Sequence, residues 1–115
     1  MTHLIESDKA VSLYSQIPKE YNCAQSVAKA FERDDLVAQL KSCGGGRAEG
    51  GLCGALHAAL LMLPENKSKE TKKQFRDRVG DILCKTIRRE GKTPCAECVR
   101  TAASLIADQS VVREK

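Results

Sequence analysis

The segment CGGGRAEGGLCGALHAALLMLP, residues 43–64, decides the fold of this chain. Its second half, 52–63, is apolar almost all the way round, as in a helix surrounded by other helices rather than lying on a surface. Pro64 cannot continue that helix. The first half places five glycines in the nine residues 43–51, more than a plain hairpin needs. Glycine supplies positive φ and lets backbone approach a partner closely. A buried central helix entered through a glycine-rich loop is the expectation.

Working outward, the periodicity is helical on both sides, with no alternating strand. A helix over 6–16 stops before Pro18. Asn22 is a good N-cap for a second helix running through 31 and on toward 41. Beyond Pro64, Ser68 caps a long helix that ends near Gly91, a favourable C-terminal glycine. Thr93 caps the last helix, with Pro94 at its first position and Val99, Ala102, Leu105 and Ile106 along one side. No linker or low-complexity stretch divides the chain, so residues 1–115 read as a single all-α domain, a bundle of about five helices.

Composition narrows the function. Nineteen Lys and Arg against fifteen Asp and Glu leave a net charge of only +4, too little to mark a nucleic-acid binder by itself. Lys67, Lys69, Lys72, Lys73, Arg76 and Arg78 form a basic run, but Glu65, Glu70, Asp77 and Asp81 interrupt it. No aromatic stacking platform accompanies it, so a solvated helix face is expected and no nucleic-acid partner. No stretch approaches the ~20 apolar residues of a membrane span, and the first residues lack the pattern of a secretory signal. A cytoplasmic protein without a membrane role is expected. Aromatics make up 3% of the chain, so the core is built from aliphatic residues and alanine. Its modest size leaves room for a homodimer.

The abnormal feature is six cysteines: Cys23, Cys43, Cys53, Cys84, Cys95 and Cys98. In a reducing compartment such usage points to thiol redox chemistry or metal binding rather than to disulfide staples. Cys23, Cys53 and Cys95 each fall in the first turn of an expected helix, followed by small residues, with Cys98 just beyond. The N–H groups and positive dipole end there stabilise a thiolate and can bring its pKa from ~8.5 to ~3.5–7.5. Cys84 differs, pointing away from the apolar stripe Phe75, Val79, Ile82, Leu83 of the long helix. Gly80, one turn before it, marks either a close approach or a plain packing contact.

The glycine segment, with Gly44, Gly45, Gly46 and Gly51, offers N–H groups that could cradle an anion, a thiolate or cluster sulfurs. It carries neither a phosphate-loop Lys nor a dinucleotide-binding context. His57 lies one turn after Cys53 and could serve as a base or metal ligand, although a lone His on an apolar helix is more often a satisfied core residue. Cys95-Ala96-Glu97-Cys98 is a CxxC without the βαβ setting of thioredoxins. A zinc or iron–sulfur site built from Cys23, Cys53, Cys84 and Cys95 requires four distant segments to converge.

Asn22-Cys23-Ala24-Gln25, then Gly44-Gly45-Gly46, then Gly51-Leu52-Cys53-Gly54-Ala55, followed by Cys84 and Cys95, resembles the C_GCAxxG_C_C family of redox-active proteins. The resemblance continues through Cys95-Ala96-Glu97-Cys98-Val99-Arg100-Thr101-Ala102-Ala103 and covers about residues 10 to 107. It implies a small helical domain with a redox role, in which some relatives carry selenocysteine in place of a cysteine. The family positions are Cys23, Cys53, Cys84 and Cys95, whereas Cys43 and Cys98 look like additions in this chain. Ala58 stands where the family has glycine.

The expected function is a redox protein working through cysteine thiols, by thiol–disulfide exchange or electron transfer. A redox partner protein or a small thiol would be the reactant. Cys53 is the candidate nucleophile, and Cys23, Cys84 or Cys95 would resolve its mixed disulfide. The alternative is a helical module whose thiols hold an iron–sulfur cluster or zinc.

Overall fold

The computed structural model describes residues 2–16, 20–42, 49–91 and 93–114, with side chains from Glu6 to Ala107 except Glu49. Among these the architecture is all-α, with seven α-helices, two 3-10 turns and no strand. Helix α1 spans Thr2–Tyr14, α2 Cys23–Ala30, α3 Asp34–Gln39, α4 Gly54–Met62, α5 Ser68–Val79, α6 Cys84–Glu90 and α7 Cys95–Glu114. Short 3-10 turns at Glu49–Gly51 and Glu65–Lys67 precede α4 and α5. Cys43, Gly44, Gly45 and Gly46 lie outside the described residues, so the expected glycine loop is seen only from Glu49 onward.

Two of the five expected helices are each broken in two. The helix expected over 22–41 ends at Ala30, because the chain turns left-handed at Glu32 (φ 59°). It restarts at Asp34, where Asp34 and Asp35 complement the new helix dipole. The helix expected from Ser68 to Gly91 ends at Val79, because Gly80 takes φ 104° as its left-handed cap. Asp81 then accepts from the N–H groups of Ile82 and Leu83 through Oδ1, at 2.7 and 3.0 Å, and aims the chain into α6. Gly80 therefore serves neither expected role: it caps a helix, and a Cβ there would meet only Glu90 Oε1 at 3.9 Å.

Smaller differences have similar causes. Thr93 does not cap the last helix; its hydroxyl donates to the Val79 carbonyl at 3.1 Å, tying the start of α7 to the end of α5. Pro94 precedes the helix rather than opening it, and its carbonyl accepts from Glu97 N–H at 2.9 Å. Ser68 is the first residue of α5 rather than its cap.

Alanine sets the packing. Ala24, Ala28, Ala55, Ala58, Ala59, Ala102 and Ala103 are fully buried, and their small size lets α2, α4 and α7 approach closely. Helix α7 is the spine: α1, α2, α4 and α5 all pack on it. Phe75 is the largest fully buried side chain. The expectation for 52–63 holds in its core-facing part, since Gly54, Ala55, Leu56, Ala58 and Ala59 are buried. It fails at Leu61, which is 41% exposed.

A polar clamp fastens α2 to α3. Asn22 Oδ1 caps α2 by accepting from Gln25 N–H at 2.7 Å, and Gln25 Oε1 accepts in return from Asn22 N–H at 3.1 Å. The Asn22 amide also donates to the carbonyls of Leu40 and Lys41, both at 3.0 Å. Gln25 Nε2 donates to the Val37 carbonyl at 2.9 Å. The residues flanking Cys23 in Asn22-Cys23-Ala24-Gln25 thus hold its helix start in place.

Candidate functional site

Four cysteines stand at four different helix starts. Cys23, Cys84 and Cys95 are the first residues of α2, α6 and α7, and Cys53 is the N-cap of α4. The sequence expectation placed three there; the break at Gly80 adds Cys84. An isolated antiparallel bridge between Leu52 and Leu83 brings the loops before α4 and α6 side by side. Cys53 N–H donates to the Ile82 carbonyl at 2.8 Å. Each bridged leucine is followed by a cysteine, and Cys84 lies within electrostatic range of Cys53.

The thiols sense one another. Cys23 feels Cys53, Cys95 and Cys84, and Cys84 feels Cys53 and Cys95. The Ala55 N–H is directed at the sulfurs of both Cys23 and Cys53. Cys98, one turn into α7, meets the Cys53 thiol directly. All five are free thiols.

Exposure divides the group in two. Cys53 and Cys98 are 5% and 2% exposed and form an inner pair. Cys23, Cys84 and Cys95 are half-buried and form a rim. Two further side chains, which the sequence reading did not single out, complete that rim. Arg88, one turn after Cys84, reaches the Cys95 thiol and also faces Cys84. Tyr14, at the end of α1, meets Cys95 through its hydroxyl. An Arg four residues after a helix-start cysteine was the available signal for the first. Nothing local marked Tyr14, whose neighbour is distant in sequence.

At Cys23 and Cys53 the expected lowering of thiol pKa at a helix start is reversed. Contact with Cys98, followed by burial, pushes the Cys53 thiol far up, and the N–H groups of Leu56 and Ala55 offset this only in part. They close no cap hydrogen bond to it. Burial, reinforced by Cys53 and Cys95, pushes Cys23 up to about 11. Burial also raises Cys84, against which Arg88 acts. Burial, and then the Cys95 contact, raises Tyr14. Desolvation opposes the charged form over the whole thiol, whereas the dipole acts through a few N–H groups. At these sites the first effect is the larger.

The other expected site residues are distributed as follows. Gly51 takes φ 76° beside Leu83, and Gly50 takes φ 69°; both shape the turn that delivers Cys53. His57 is half-buried on α4, and its N–H donates to the Cys53 carbonyl at 2.9 Å, an ordinary helical bond. Ala58 is fully buried in the core. The basic run lies mainly on α5, where Lys73 pairs with Asp77 at 3.1 Å.

Among the described residues, no three His, Cys, Asp or Glu side chains stand in an arrangement that would hold a metal ion. Nor is any of the helices, within those residues, long and apolar enough to cross a membrane. No family model, curated protein or solved structure matches this chain.

Proposed function

We propose that this chain is a redox protein of the C_GCAxxG_C_C type, acting in a reducing cytoplasm by thiol–disulfide exchange with a partner protein or a small thiol. The observation that carries the reading is the convergence of Cys23, Cys53, Cys84 and Cys95 from four helix starts. Residues as distant as Cys23 and Cys95 are brought within electrostatic range of one another. A buried cysteine that merely packs needs no second thiol beside it. Here five thiols share one region.

The division into rim and inner pair refines the roles expected from the sequence. A half-buried rim thiol is the better point of first attack, because access favours it over the buried Cys53. Arg88 supports a thiolate at Cys84. Cys53 then acts as the second thiol rather than the first.

The same convergence supports a second reading, a module holding iron–sulfur or zinc through Cys23, Cys53, Cys84 and Cys95. Those ligands would have to draw closer than they stand in the free-thiol form. Iron and zinc per chain, measured on protein purified without oxygen, separate the two. Stoichiometric metal that is lost in Cys53→Ser overturns the exchange reading. Metal-free protein with reactive rim thiols supports it.

A further inference from the structure

We propose that Cys98 is the resolving thiol of this site, and that the oxidised protein carries a buried Cys53–Cys98 disulfide. The proposal rests on the thiol-exchange reading above and adds the pairing that the sequence left open. On sequence, Cys98 is, with Cys43, outside the family pattern, and its close neighbour in the chain is Cys95. A CxxC at a helix start invites a Cys95–Cys98 bond.

The packing directs Cys98 elsewhere. Helix α7 begins at Cys95, which sits half-buried at the rim beside Arg88 and Tyr14. One turn on, Cys98 is 2% exposed and faces α4, where its thiol meets that of Cys53. Two buried thiols in side-chain contact across the packed helices α4 and α7 are the pair placed to close a disulfide. Neither can collide with a large substrate while buried. The pair is therefore reached through the rim.

Cys84 is the link, since it lies in range of Cys53 and has Arg88 one turn away. Its thiolate attacks a low-molecular-weight disulfide, RSSR, forming Cys84–S–S–R and releasing RS⁻. Cys53 loses its proton and attacks the Cys84 sulfur, releasing the second RS⁻ and forming a Cys53–Cys84 disulfide. Cys98 loses its proton and attacks the Cys53 sulfur, releasing Cys84 as thiolate. The two protons pass through water to the two RS⁻ groups. The sum is RSSR plus two cysteine thiols giving two RSH and one Cys53–Cys98 disulfide, with two electrons moved. Arg88 favours the last step, because the better-stabilised thiolate is the better leaving group.

The test uses the full chain, reduced without oxygen, exposed to oxidised glutathione and quenched in acid with N-ethylmaleimide. Intact mass reports adducts and crosslinks. Non-reducing cleavage after Lys, Arg and Glu identifies them, since Glu97 lies between Cys95 and Cys98 and cleavage there separates the two. The expected product has lost two hydrogens, carries no glutathione, and contains a Cys53–Cys98 crosslink. In Cys98→Ala and Cys98→Ser, each with its helical circular dichroism retained, that product is lost and glutathione persists on Cys84 or a Cys53–Cys84 bond accumulates. Any other persistent pairing in the wild type, Cys95–Cys98 included, or stable adducts without a crosslink, overturns the role of Cys98 and leaves thiol exchange standing. Absence of both adducts and crosslinks at every cysteine overturns the two together.

Discussion

The thiols of Cys53, at the start of α4, and Cys98, in the first turn of α7, meet inside the core at 5% and 2% exposure. Their contact joins two helices that pack directly on each other. It also makes Cys53 a reluctant thiolate, because burial and a neighbouring thiol both oppose charge. The consequences can be measured at the rim, in the core and at the turns that hold them.

Alkylation should proceed from the outside inward. At neutral pH, iodoacetamide is expected to modify the half-buried Cys84 and Cys95 before the buried Cys53 and Cys98. Access favours the rim. A time course of peptide masses gives the order, and early labelling of Cys53 would contradict the burial argument.

Arg88 should favour the thiolate of Cys84. Arg88→Gln removes the charge facing Cys84, so the Cys84 pKa rises further and its alkylation at neutral pH slows. For a pair open to solvent, worth ~0.2–1 kcal/mol, the effect is about two- to fivefold at most. Arg88→Lys should recover part of the loss, and the difference should shrink in high salt.

Alkaline pH should destabilise the fold. The Cys23 thiol rises from 9.0 to about 11 on folding, so the native state holds its proton more tightly than the unfolded chain does. That contribution is fully present below pH 9 and is lost as pH climbs toward 11, at about 1.4 kcal/mol per unit for one such group. Cys53 acts in the same direction. Urea unfolding under reducing conditions at pH 7.5, 9 and 10 gives the slope. It should be shallower in Cys23→Ala.

Gly80 should matter for its backbone alone. With φ 104° and nothing closer than 3.9 Å to a Cβ built there, Gly80→Ala meets no clash but must hold a left-handed turn, at a cost of about 1–2 kcal/mol. Because this turn lets Cys84 begin a new helix, the variant is also expected to slow transfer of oxidation from Cys84 to Cys53. Denaturant midpoint and the glutathione reaction, measured together, report both effects. A change in neither would remove Gly80 from the account of the site.

The sequence by itself determined the helical class, the burial of residues around Ala55 and Leu56, and the helix-start positions of Cys23, Cys53 and Cys95. Those follow from local rules: apolar periodicity, the Asn22 cap, and a proline after the central helix. Local rules failed at Glu32 and Gly80. There a continuous helical pattern gives way to a left-handed residue, after which α3 and α6 start as separate helices. Only the tertiary structure decided that Cys84 joins the other thiols, through the Leu52–Leu83 bridge, and that Arg88 and Tyr14 stand at the rim. It also set the Cys98 thiol against that of Cys53. Helix spacing ranks neighbours within one helix, but the contact between two helices depends on how their buried alanines let α4 and α7 approach. The same closeness reversed the expected pKa lowering, since desolvation depends on everything packed around a sulfur and the dipole only on the helix it begins.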